Sequence, residues 1–248
     1  MSSVATAGRI GAGSANLLMY GHLVVPRLAR WSKDRTRGQV VVRRRDGKGI
    51  GFLDEGPGDR NAQGVLVNRG WIHAPAGQRG VPRFKSIDDR YQRRAMRKLL
   101  CQICPDPADR DERGVLWLID RAHGSDRPSW PEGHITGHPP VCLRCAVISD
   151  LQCPALASRG YVAVRVRNPV PHGVSGALYE ALPGGPALTV DGLTGLRVVH
   201  NPVVAQWDDR EALPWILMGE ATMTLNGCTV VDLREEYERA RSAPTLAA

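Results

Sequence analysis

Two Cys-x-x-Cys pairs, Cys101-Gln102-Ile103-Cys104 and Cys142-Leu143-Arg144-Cys145, stand 37 residues apart and constrain this chain more than any other feature. A thiolate is a soft, charged ligand. Two such knuckles let backbone N–H groups turn toward the sulfurs while four ligands close a tetrahedron. The spacing predicts one structural Zn²⁺ held by Cys101, Cys104, Cys142 and Cys145. Disulfides would require an oxidising compartment, and no export signal precedes the cysteines. A thioredoxin-like redox role would require a single pair beside a βαβ pattern, whereas here there are two pairs, far apart. His123, His134, His138 and Cys153 are near enough in sequence to replace one ligand.

The formal charge of +8 is unevenly placed. Residues 1–100 hold 20 Lys and Arg against 7 Asp and Glu, a surplus of 13, whereas residues 101–160 and 161–248 are both slightly acidic. A basic surplus on one part of a chain suits a polyanion, because Lys and Arg contacts to phosphates release counterions. No run approaches 18 consecutive apolar residues, and the Ala/Gly/Ser-rich stretch from Met1 to Asn16 has no apolar core of secretory type. The expectation is a cytoplasmic protein with a loose N-terminal tail and no membrane partner.

Along the chain, Leu17 to Trp31 is apolar but interrupted by Gly21 and Pro26, and is expected to be a docked irregular segment. Val40–Val42, the basic run Arg43-Arg44-Arg45, the turn Asp46-Gly47 and Ile50–Leu53 form a hairpin pattern. Ile87 to Leu100 has helical spacing, with Arg90, Arg93, Arg94, Arg97 and Lys98 on its polar face, and leads directly into Cys101. Val115 to Ile119 is a candidate strand and Ser125 to Pro140 a Pro- and Gly-rich loop. Behind Cys145, Ala146, Val147, Ile148 and Leu151 predict a short helix that stops at Cys153-Pro154. Tyr161 to Arg167 alternates as a half-buried strand, and further strands are expected at Ala177–Leu182, Ala187–Val190, Leu196–Val199 and Cys228–Leu233. Asp208 and Asp209 are expected to cap a helix running to Leu225, and the charged segment from Arg234 to form a frayed helix.

A first knuckle, a hairpin, then a second knuckle opening a helix is the order of a treble-clef zinc finger, which residues 101 to about 155 resemble. In outline the segment also resembles the degenerate zinc module of HNH endonucleases. The resemblance implies a His at the end of the first hairpin strand as general base, with carboxylate, His or Asn residues holding a catalytic metal. Here Asp120 is followed by Arg121 where the family has His, His123 stands two residues late, and Ala146–Pro154 contains neither His nor Asn. The layout also resembles zinc-containing proteins of high-GC bacterial genomes and mobile elements. No Gly-x-Ser-x-Gly elbow, His-Glu-x-x-His or phosphate loop is present. Trp117 and Trp130 flank the zinc segment and are expected to anchor loops or core.

The resulting expectation is an α+β protein: a flexible tail (1–16), a basic β-rich region ending in a helix (17–100), a treble-clef-like zinc module (101–160) and a C-terminal sheet-plus-helix region (161–248). Its expected function is zinc-stabilised nucleic-acid binding or regulation without catalysis, with Arg43, Arg44, Arg45, Arg90, Arg93, Arg94, Arg97 and Lys98 at phosphates. One alternative is an HNH-like metal-dependent nuclease with His123 as base and Asp120 as metal ligand. Another is a protein-interaction adaptor using the loop Ser125–Pro140.

Overall fold

A computed structural model describes residues 17–121, 127–183 and 195–242. The tail 1–16, the expected strand Ala187–Val190 and His123 lie outside the described residues.

The apolar segment after residue 17 is not irregular. Leu18–Tyr20 (β1) and Leu23–Val25 (β2) pair antiparallel, and Ala29–Trp31 (β3) follows. Gly21 makes the turn at φ +59°, so the residue that breaks a helix here closes a hairpin. Arg35–Thr36 (β4), Val41–Arg43 (β5), Ile50–Phe52 (β6), Leu66–Val67 (β7), Trp71–Ile72 (β8) and Pro82–Ile87 (β9) complete the first part. β5 and β6 form the expected hairpin, in register from Val41 against Phe52 to Arg43 against Ile50. β4 pairs with β8, and β3 pairs with β9.

Asp89–Lys98 (α1) forms where the spacing predicts, because Asp88 caps it by accepting from the Arg90 and Tyr91 amides. Leu99 ends it in the left-handed region at φ 50°. Buried Gln92 fastens α1 to a later strand: its side chain donates to the Gly137 and Ala221 carbonyls at 2.6 and 2.8 Å and accepts from the Ala221 amide at 2.9 Å.

The remaining elements are Arg110–Asp111 (β10), Gly114–Asp120 (β11), His134–Thr136 (β12), Leu143–Gln152 (α2), Pro154–Arg159 (α3), Tyr161–Ala181 (β13), Leu196–Gln206 (β14), Ile216–Val231 (β15) and Leu233–Ser242 (α4). Among the described residues they build a seven-stranded sheet ordered β10-β11-β13-β15-β12, to which β14 adds beside β13 and β7 adds parallel to β15. β13 is 21 residues long, so its first half pairs with β11 and its second half with β14. Gly114 allows β10 and β11 to turn at φ +121°, where a Cβ would lie 2.1 Å from the Val166 carbonyl oxygen. The expected α+β class holds, with a C-terminal sheet plus helix.

Two local expectations are corrected. The helix expected from Asp208 to Leu225 is a single 3₁₀ turn, Leu213–Trp215, followed by β15. Leu213, Ile216, Leu217, Ala221 and Leu225 mimic a helical stripe because β15 is covered on both faces, Leu217 packing in one apolar cluster and Ile216 and Met218 in another. Burial on both faces erases the two-residue alternation that marks a strand, and pairing with β13 overrides helical propensity. The strand from Tyr161 is likewise not half-buried: Val162, Val164 and Val166 fill one cluster, and Ala163 and Arg165 on the opposite face are also buried. Arg165 is buried because α4 lies over that face, with Glu236 reaching it. No helix among the described residues is long and apolar enough to cross a membrane.

Candidate metal centre

Leu99, in its left-handed turn, stops α1 and hands the chain to the first knuckle. Leu100 donates back to the Ala95 carbonyl at 2.9 Å, and the Cys101 amide donates to the Asp106 carbonyl at 2.8 Å. The Ile103 amide points at the Cys101 sulfur from 3.4 Å, the turned N–H that a knuckle supplies. Three supports fix the knuckle from outside. The Tyr91 hydroxyl lies 2.7 and 2.8 Å from the Cys101 and Cys104 carbonyl oxygens. The Arg27 and Leu28 amides donate to Ile103 and Gln102, and the Gln102 amide donates to Pro140. Burial pushes the Tyr91 hydroxyl well above its ordinary range, so it stays a neutral donor.

The second knuckle sits at a helix start. Cys142 occupies the N-cap of α2 and Cys145 its first turn, which places the second knuckle at the positive end of the helix dipole. Val141 ties this knuckle to the sheet through its amide to the Leu116 carbonyl at 2.9 Å. Leu116, Leu118, Val141, Leu143, Ala146, Ala163 and Leu233 close an apolar shell with the cysteines.

The four sulfurs lie within 4.8 Å of one another, and Cys104 and Cys142 approach to 3.7 Å. A tetrahedron with metal–sulfur bonds of ~2.3 Å has edges of about 3.8 Å. The cysteines are free thiols, and Cys101, Cys104 and Cys145 are fully buried. Hydrogen bonding from Cys104, then from Cys142 and Cys145, pulls the Cys101 thiol far down, while the Cys101 contact foremost pushes Cys145 up. Cys104 is also pulled down, to about 7, and Cys142 is pushed up, so the first knuckle ionises at the expense of the second unless a cation compensates all four. No family model, curated protein or solved structure matches this chain.

Three of the candidate substitute ligands, His134, His138 and Cys153, lie among the described residues and stand elsewhere. His134 is buried on β12 against Trp130, and the His138 carbonyl accepts from Trp117 Nε1 at 3.0 Å. Cys153 separates α2 from α3. None joins the sulfur cluster. Asp120 ends β11 with its carboxylate 3.1 Å from the Arg159 guanidinium. Trp117 is fully buried, as expected of a core anchor.

The basic residues divide by environment. Arg90, Arg94, Arg97 and Lys98 are exposed along α1, whereas Arg93 turns inward and donates to the Gly219 and Asn68 carbonyls. Gly70, at φ +73°, leaves room for the Arg90 stem; a Cβ there would lie 2.8 Å from Arg90 Cγ. Arg44 and Arg45 are exposed at the β5–β6 turn, Arg44 paired with Asp46 at 2.8 Å. Arg43 is half-buried, its Nε without a partner among the described residues, beside a cavity of about 500 Å³ that Tyr179 and Trp215 also line.

Sequence reasoning missed His73. Its ring stands 3.4 Å from Asp34 and 2.9 Å from Asp88, the N-cap of α1, so it joins the β3–β4 turn to the start of the basic helix. A lone His in a Pro/Gly-rich stretch carries no sequence signal for two carboxylates that lie far from it along the chain. Asp89, next to Asp88 in the chain, is half-buried, and that burial, opposed by Arg93 and reinforced by Asp88, raises its carboxyl to about 6.

Proposed function

We propose that this chain is a zinc-stabilised nucleic-acid-binding protein without catalytic activity of its own. The observation that carries the reading is the continuity between α1 and the first knuckle. The helix presents Arg90, Arg94, Arg97 and Lys98 with no ion-pair partner among the described residues, and it ends at Cys101. A divalent cation held by four thiolates is a closed structural site, and zinc is the metal that sulfur-only tetrahedral ligation favours. With no open coordination position, its role is to fix the helix and strands that converge on it. Cys101, Cys104, Cys142 and Cys145 would hold the ion, and Tyr91 supports the knuckle at the end of the cationic helix.

Unpaired cations attract phosphates without reading sequence, and the affinity falls as salt competes for the same charges. Fluorescence anisotropy with labelled nucleic acid across a salt series tests the reading. The expected result is affinity that declines linearly on a log–log plot and disappears after chelation. Absent binding, or binding indifferent to salt, would remove it.

A further inference from the structure

Cations also stand on the strand that leads into α1. Arg83 and Lys85 on β9 are exposed and carry no ion pair among the described residues, and Phe84 stands between them. The chain has two phenylalanines, and they differ sharply: Phe52 is 4% exposed in the core, Phe84 54% exposed on the surface. Burying such a ring elsewhere would stabilise the fold by about 1.5–3 kcal/mol, so its position leaves a large apolar face to the solvent.

Phe84 has aromatic company. By strand alternation it shares a face of β9 with Pro82, and Pro82 is the register partner of Trp31 on β3. Against Trp31 stands Tyr20 from the β1–β2 hairpin, ring centroids 6.3 Å apart in an edge-on contact, with Tyr20 itself 44% exposed. Arg79 lies over the Trp31 ring at 5.7 Å, and Val81, next along the chain, is half exposed. On the α1 side, Arg27 lies over the buried Tyr91 ring at 5.6 Å. Of the carboxylates carried by the β3–β4 turn and the start of α1, Asp34 and Asp88 hold His73, and Asp89 is half-buried.

We infer that the β3–β9 ribbon binds an unpaired nucleic-acid strand, with Phe84 and Tyr20 as stacking platforms on one face and with Arg83 and Lys85, which strand alternation turns to the other face, reaching phosphates around the edge of β9 that no strand pairs among the described residues. In a duplex the bases are already stacked on each other and present only their edges, so exposed rings flanked by cations suit bases that are free to leave the stack. Every base has a π-face, so this mode of binding tolerates any sequence. The inference rests on the nucleic-acid reading above and specifies which form is bound.

The test uses the full zinc-loaded chain, with labelled oligothymidylate and RNA of about 12 nucleotides, a length within the usual range for single-strand sites, and a duplex of equal length. Phe84→Ala, Phe84→Leu and Tyr20→Ala are compared with the wild type, each checked for an unchanged thermal midpoint. The expected result is tighter binding of single strands than of duplex at equal salt. Phe84→Ala is expected to weaken single-strand binding about 5- to 150-fold, the range that one base–aromatic stack supplies, with duplex binding and the salt slope unchanged. Phe84→Leu, which keeps apolar bulk without a ring, is expected to weaken it as much. A Phe84→Ala variant that binds single strands like the wild type, or a Leu variant that does so, would overturn the single-strand inference and leave the nucleic-acid reading standing. Absence of salt-dependent binding to every probe would overturn both.

Discussion

Helices α1 and α4 are each ten residues long and rich in arginine, yet they use those arginines in opposite ways. In α4 two of the three arginines close on carboxylates, and Arg241 lies over the Tyr237 ring. Arg239 meets Glu236 at 2.8 Å, Arg234 meets Glu238 at 3.4 Å, and Glu236 also reaches Arg113 and Arg165. Burial pushes the Glu236 carboxyl up, but hydrogen bonds from Arg165 and Arg113 outweigh it and hold the group below its usual range. In α1 no cation meets a carboxylate in an ion pair among the described residues; Arg93 directs its charge to backbone carbonyls and the others face solvent. Net charge alone therefore does not mark a binding face. A cation is available to a partner only where the fold has given it no carboxylate, and on this criterion α1 is the docking helix and α4 a fastener.

The largest effect that can test the contrast comes from the metal that anchors α1. Cys101→Ser combined with Cys104→Ser should remove cooperative folding, because structural zinc contributes about 10–16 kcal/mol in small zinc domains; a thermal melt followed by circular dichroism would reveal it. Next comes the fastener. Glu236→Ala removes one of the carboxylates that hold Arg165, which is 3% exposed, and should destabilise by about 3 kcal/mol in denaturant titration, the low end for a broken buried pair because Asp109 stays beside Arg165. A change under about 1 kcal/mol would mean that α4 is merely resting on the sheet.

A smaller, pH-dependent effect belongs to Asp89. Its native value of about 6 lies above the unfolded 3.8, so the folded state binds the proton more tightly. Stability from this group is therefore full below the unfolded value and is lost as pH rises toward the native one. Between pH 4 and pH 7 the loss amounts to about 3 kcal/mol at most. Asp89→Asn should flatten that part of the stability profile relative to wild type. Smallest in stability is Arg94→Gln with Arg97→Gln, expected within about 0.5 kcal/mol of wild type. The same pair should lower the log–log salt slope of nucleic-acid binding by about 0.7–0.9 for each phosphate that α1 no longer neutralises. If the pair melts the protein instead, α1 is a fastener too.

The cysteine constellation was legible because ligand spacing is a local property of the chain, and α1 because Asp88 and the Tyr91–Ala95 spacing mark it within one window. The segment 208–225 was not legible. Periodicity assumes one wet face, and β15 has no exposed residue between Ile216 and Leu225, so a strand covered on both sides imitates a helix. The same assumption misplaced Arg165, whose partners Asp109 and Glu236 lie 56 and 71 residues away. Phe84 and His73 were missed for a related reason: exposure and ion pairing are set by which strands meet, and β3 finds β9 only after some fifty residues of intervening chain.

Elemental analysis of the purified full chain by inductively coupled plasma mass spectrometry tests the central claim most directly. One zinc per chain is predicted, falling to none in the Cys101→Ser/Cys104→Ser variant. A folded wild-type chain without stoichiometric metal would contradict it.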